Sequence, residues 1–121
     1  MKKLRLPLKK QWFEMTKAGI KTEDYREINP YWAQRLVGAY EWSTIWRLEE
    51  EEKGNINAKY LIRSFAEFDT NVMTLGYPKS TDTERILRLE HKGIEIRTGN
   101  PEWGAEPNKL YFVIKHGVVL Q

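Results

Sequence analysis

The densest collection of reactive side chains in this chain runs from Gly19 to Glu27: Gly-Ile-Lys-Thr-Glu-Asp-Tyr-Arg-Glu. An ammonium (Lys21), a carboxylate (Asp24) and a guanidinium (Arg26) follow a glycine turn. Successive side chains of an extended segment point to opposite faces. A strand starting at Thr22 would put Thr22, Asp24 and Arg26 on one face and Glu23, Tyr25 and Glu27 on the other, with Lys21 at the mouth. Two arrangements fit this pattern. An exposed ladder of ion pairs would contribute less than about 1 kcal/mol per pair. A cavity wall would force the charges to pair with one another, and a polar ligand could exploit them.

A second candidate is the loop Gly99–Asn108, where Trp103 is bracketed by Gly99, Pro101, Gly104 and Pro107. A Trp on a stiffened backbone either folds back over the core or offers a face on which a nucleic-acid base stacks. Other chemistries find no support. The chain has no cysteine, which removes disulfides, zinc–thiolate sites and thiol nucleophiles. His91 and His116 are far apart and lack ligand-spaced partners, so no metal and no cofactor is expected. There is no nucleophile elbow and no glycine-rich phosphate loop. The run Glu49–Glu52 reads as solvated loop. Lys9, Lys10, Lys17, Arg88, Arg97 and Lys115 would form either a basic rim or scattered surface charge.

These residues need elements to hold them. Leu4, Leu6 and Leu8 alternate with polar neighbours, the period of a half-buried strand, and Pro7 ends that strand or places it at an edge. The next stretch changes period: Leu8, Trp12, Met15 and Thr16 fall on one helical face with Phe13 beside them, and Gly19 stands where a left-handed helix cap belongs. Asn29 and Pro30 read as the N-cap and first residue of a second helix, packed down by Tyr31, Trp32 and Leu36 and stopped at Gly38. Tyr60, Leu61, Ser64, Phe65 and Phe68 have helical spacing. From Thr70 the pattern is β. Residues 70–78 form a strand closed by Gly76 and Pro78. Residues 83–99 form two strands with a turn or bulge at Gly93, and residues 109–120 form a long apolar strand. Early helices, short strands and no βαβ rhythm predict an α+β fold with a small mixed or antiparallel sheet, closed as a barrel to remove its edges.

The length of 121 residues predicts a single domain. Charged residues make up 31% and the formal net charge is +3, a balance compatible with a nucleic-acid partner and equally with a mildly basic protein of another kind. The basic start lacks the long apolar run of a signal peptide and no later stretch is long enough to span a membrane, so the expectation is a cytoplasmic protein without a membrane partner.

The run Gly19–Arg26 resembles the signature of the ASCH domain family. Gly19, Lys21 and Arg26 match it, and Asp24 replaces the usual glutamate with a shorter carboxylate. Three further stretches are similar to a phage-type branch of that family: Ile28–Trp32, Leu75–Ser80 and Gly99–Ala105. The resemblance spans both ends of the chain and fails from Val37 to Phe68, which implies a helical or loop insertion around 37–68. It implies a PUA-like β-barrel with flanking helices and a cleft that binds RNA or a nucleotide, lined by Gly19, Lys21, Thr22, Asp24 and Arg26 with Trp103. There Lys21 and Arg26 would meet phosphate or base-edge oxygens, and Asp24 would hold Arg26 or accept a base N–H. Some family members hydrolyse acylated cytidine with a Lys, Thr and Glu. The threonine position is Asp24 here and Thr22 is offset from it, so Lys21 and Asp24 are the catalytic candidates of that alternative. A protein–protein adaptor retaining only the fold is the third reading.

Overall fold

A computed structural model of the chain describes residues 2–37 and 65–120. The elements in chain order are β1 (Lys3–Leu8), α1 (Lys10–Lys17), β2 (Glu23–Arg26), α2 (Pro30–Leu36), β3 (Thr70–Leu75), β4 (Ile86–Thr98) and β5 (Leu110–Val119). The strands form one five-stranded sheet in the order β1-β3-β4-β5-β2. Strand β1 runs parallel to β3, and β3 antiparallel to β4. The protein is thus α+β with a mixed sheet. The insertion expected around 37–68 lies almost entirely outside the described residues, as do the Gly38 stop and most of the helix read from Tyr60 to Phe68. At its margin Phe65 forms an isolated antiparallel bridge with Val37, and the Ala66 N–H donates to the Leu36 carbonyl. Residues 65–68 are therefore not the end of a helix.

The chain divides into two compact units, Met1–Asp24 with Glu67–Gly93 and Lys115–Gln121, and Tyr25–Ala66 with Ile94–Ile114. In the first, the alternation of β1 is realised: Leu4, Leu6 and Leu8 are buried while Lys3 and Arg5 are exposed. The register sets Leu4 beside Asn71, Leu6 beside Met73, and Met73 beside Leu87, so one sheet face carries the apolar core. Helix α1 packs against β1 and β3 and buries Phe13 and Thr16. Pro7 sits on an edge strand, where its missing N–H costs no ladder bond.

The segment expected to form two strands around Gly93 is a single strand, β4. Gly93 absorbs a positive φ of 115° within it, a conformation glycine adopts without a Cβ penalty.

In the second unit the side chain of Asn29 accepts the Trp32 N–H at 2.9 Å and Pro30 opens α2, as local capping rules predict. Ala33 and Leu36 are the buried face of α2. Tyr31 does not pack the helix down. It is exposed, with the Arg35 guanidinium over its ring at 4.6 Å. A small core of Ala105, Tyr111 and Val113 packs with Tyr25, and Phe65 meets Phe112 edge-on. No helix among the described residues is long and apolar enough to cross a membrane.

Candidate functional site

Lys21 owes its position to the end of α1. The N–H of Gly19 bonds the Thr16 carbonyl and the N–H of Ile20 bonds the Met15 carbonyl, the paired bonds of a Schellman cap. Gly19 supplies the left-handed residue at φ 79°, and the Lys21 N–H also reaches Met15. The chain leaving this cap turns the Lys21 side chain inward. It is 2% exposed, among the most buried large side chains of the protein. Its ammonium donates to the Glu23 carbonyl at 2.6 Å and to Asp24 Oδ1 at 3.1 Å, and lies 6.0 Å from the centre of the Trp12 ring. Asp24 is also buried.

The exposed-ladder arrangement therefore does not apply to Lys21 and Asp24. Burying two charges incurs desolvation penalties of several kcal/mol per ion, which their mutual attraction roughly offsets at best. A pair this deep in a small domain is not explained by stability alone.

A second set of polar groups is buried in the same unit. Asn71, fully buried on β3, donates from its amide NH2 to the Lys115 carbonyl at 3.3 Å and lies 2.7 Å from His116 Nδ1. Its amide oxygen lies 2.8 Å from His91 Nδ1. The Lys115 carbonyl can only accept, so the NH2 end of Asn71 faces it, and its second N–H meets His116 Nδ1. That nitrogen must then carry a lone pair, which leaves the proton of the neutral ring on Nε2. The same logic makes His91 Nδ1 a donor to the Asn71 oxygen.

His116 is buried and its Nε2 has no hydrogen-bond partner among the described residues. Burial is the main cause that lowers its pKa from 6.5 to about 4; Lys21 and His91 push the same way, while Asp24 and Glu23 oppose. Burial likewise lowers the pKa of His91. His116 at neutral pH is thus an uncharged ring presenting a buried N–H. It can donate to an acceptor atom, but its other nitrogen is occupied and unavailable as a base.

Of the residues singled out in the sequence, Gly19, Lys21, Thr22 and Asp24 belong to this unit. Lys21 and Asp24 are joined, whereas Thr22 is exposed ahead of β2, which begins at Glu23, and contributes its carbonyl to the His116 N–H. Arg26 belongs to the other unit, its guanidinium 4.8 Å from the centre of the Trp32 ring. Trp103 is half-buried on a short 3-10 turn, Pro101–Trp103, of that second unit. The loop around it is pinned: Tyr25 Oη accepts the Asn100 N–H and Tyr111 Oη accepts the Glu106 N–H, both at 2.9 Å. Nearby, hydrogen bonds to Glu27 and Glu106 hold the pKa of Lys109 well above its usual value.

Sequence reasoning set aside His91 and His116 for want of ligand-like spacing and passed over Asn71. A signal was present: Asn71 interrupts a β run, and His116 interrupts a long apolar one. Polar side chains in such positions are buried and must find partners.

The fold and this cluster define an α+β protein with a mixed sheet that, in one of its compact units, holds a buried ion pair and a buried imidazole donor. Comparison of the chain with protein-family models, with curated proteins and with solved structures finds no match.

Proposed function

We propose that this protein is an RNA- or nucleotide-binding module, built on the PUA-like barrel and acting in the cytoplasm, as its resemblance to ASCH domains implies. One observation carries the reading: the buried Nε2–H of His116, unpartnered among the described residues, in the unit that also buries Lys21 and Asp24. A buried donor left unpaired costs about 1–3 kcal/mol, which a ligand acceptor oxygen would recover. Lys21 is already neutralised by Asp24, so a neutral acceptor suits the cluster better than a desolvated phosphate. The carbonyl oxygen of a nucleobase has that chemistry. The proton on Nε2 also favours binding over proton abstraction, because His116 offers no free base.

The test is calorimetric titration with nucleosides, nucleotides and single-stranded RNA, on the wild type and on His116→Phe, which keeps a buried ring but removes the donor. Binding that is weakened about tenfold or more in the variant supports the reading. Absence of binding by every one of these ligands overturns it and leaves the adaptor. Turnover of an acylated cytidine that is lost in Lys21→Met would replace it with the hydrolase alternative.

A further inference from the structure

The opposite face of β3 carries a second feature that none of the motifs above absorbs. Residues Thr70, Val72 and Thr74 alternate with Asn71 and Met73, so they point away from the polar cluster. They are nonetheless buried, with Val72 at 2% exposure. The floor they form is sunk between the flanking strands. Arg5 of β1 and Arg88 of β4 stand on either side of Val72 in the register, and Pro7 and Ile86 stand on either side of Thr74. The result is a groove of about 330 Å3, open to solvent, closed at one end by Gly76–Pro78.

Its chemistry is one-sided. Lys3, Arg5 and Arg88 line it, and among the described residues no carboxylate does. Glu90 stands opposite Thr70 in the register, and its carboxylate is paired with Lys92 at 3.3 Å. Lys3 and Arg5 are two residues apart on one strand, about 6.6 Å, and Arg5 and Arg88 are separated by two strand spacings, about 9.5 Å. At the end of the groove Tyr77 is 93% exposed, a planar side chain with no fold-level reason to face water beside a row of cations.

We infer that this groove binds the phosphodiester backbone of a single-stranded nucleic acid, with Arg5 and Lys3 on phosphates and Tyr77 stacked on one base. A cationic track with an adjacent aromatic platform is the arrangement that sequence-tolerant strand binding requires. An acidic peptide would meet the same cations but would leave the Tyr77 ring unused. The site is separate from the nucleobase-binding cluster proposed above, since it lies on the other face of β3, and it stands whether or not that reading does.

The experiment is fluorescence anisotropy of a labelled oligouridylate titrated with the whole chain over a series of potassium chloride concentrations. Tyr77→Ala and Arg5→Gln alter exposed side chains, and their melting temperatures should match the wild type. Tyr77→Ala should weaken binding about tenfold, within the range for one lost stacking contact. Arg5→Gln should flatten the plot of log affinity against log salt by about 0.7, the loss of one phosphate contact on a single strand. Wild-type protein that does not bind the strand at low salt overturns the inference, as do unchanged affinity and slope in both groove variants. Equal displacement by uridine monophosphate, nucleotide for nucleotide, would make the groove a mononucleotide pocket. Equal displacement by polyglutamate would make it a peptide surface. Either result overturns the assignment to a strand.

Discussion

Acid should destabilise this protein through His116 before its carboxylates titrate. The folded-state pKa is lowered from 6.5 to about 4, so the unfolded chain takes up a proton that the folded chain refuses. The stabilisation is fully present above pH 6.5 and is lost as the pH falls from there to about 4. At about 1.36 kcal/mol per pH unit, the whole interval corresponds to about 3 kcal/mol, and about 2 kcal/mol is lost by pH 5. Against a typical total of about 5–15 kcal/mol this is readily measured. Urea denaturation at pH 7, 6, 5 and 4 gives the profile. His116→Gln supplies the reference, since its amide can accept from Asn71 and cannot titrate. The wild type should lose about 2 kcal/mol more than the variant between pH 7 and pH 5. Parallel profiles for the two proteins, or an NMR titration placing His116 near its ordinary value, would refute the argument that it is buried neutral with Nδ1 occupied by Asn71.

Lys21→Ala should destabilise the fold by about 3–5 kcal/mol, because it leaves the Asp24 carboxylate buried without its ammonium, and chemical denaturation measures it. A loss below 1 kcal/mol would mean that the pair is solvated. Gly99→Ala should cost about 1–3 kcal/mol, since the new Cβ would sit 2.7 Å from both Ala105 Cβ and the Tyr25 ring within a packed core. Its melting temperature should fall by several degrees while strand binding in the β1–β3–β4 groove is retained.

Much of the local structure was legible in the residues themselves, because it depends on interactions within a few positions. The Leu4, Leu6, Leu8 alternation placed β1, Gly19 placed the helix cap, and Asn29–Pro30 placed the start of α2. Each is a matter of backbone conformation and short-range hydrogen bonding, which residue type encodes directly. The same rules misplaced a break at Gly93: glycine permits a turn there, and the neighbouring strands decide whether one forms. They also made Tyr31 a core residue, where the cation of Arg35 on the same helix holds it at the surface.

The sites depended on tertiary structure. Gly19, Lys21 and Asp24 attracted attention as a charged run, but whether that run was an ion-pair ladder on the surface or a buried pair followed from where the helix cap pointed Lys21. Asn71 joins His91 and His116 across separations of 20 and 45 residues, and only the register of the sheet brings those side chains to one place. Lys3 and Arg5 were visible as the polar half of an alternating strand, yet the groove exists because β3 pairs on both sides and sinks its outward side chains between β1 and β4. Composition and spacing determine which faces are polar and which apolar. Strand order and register decide which polar groups meet, and it is their meeting in a low-dielectric interior that sets the charge state of His116 and the pairing of Lys21.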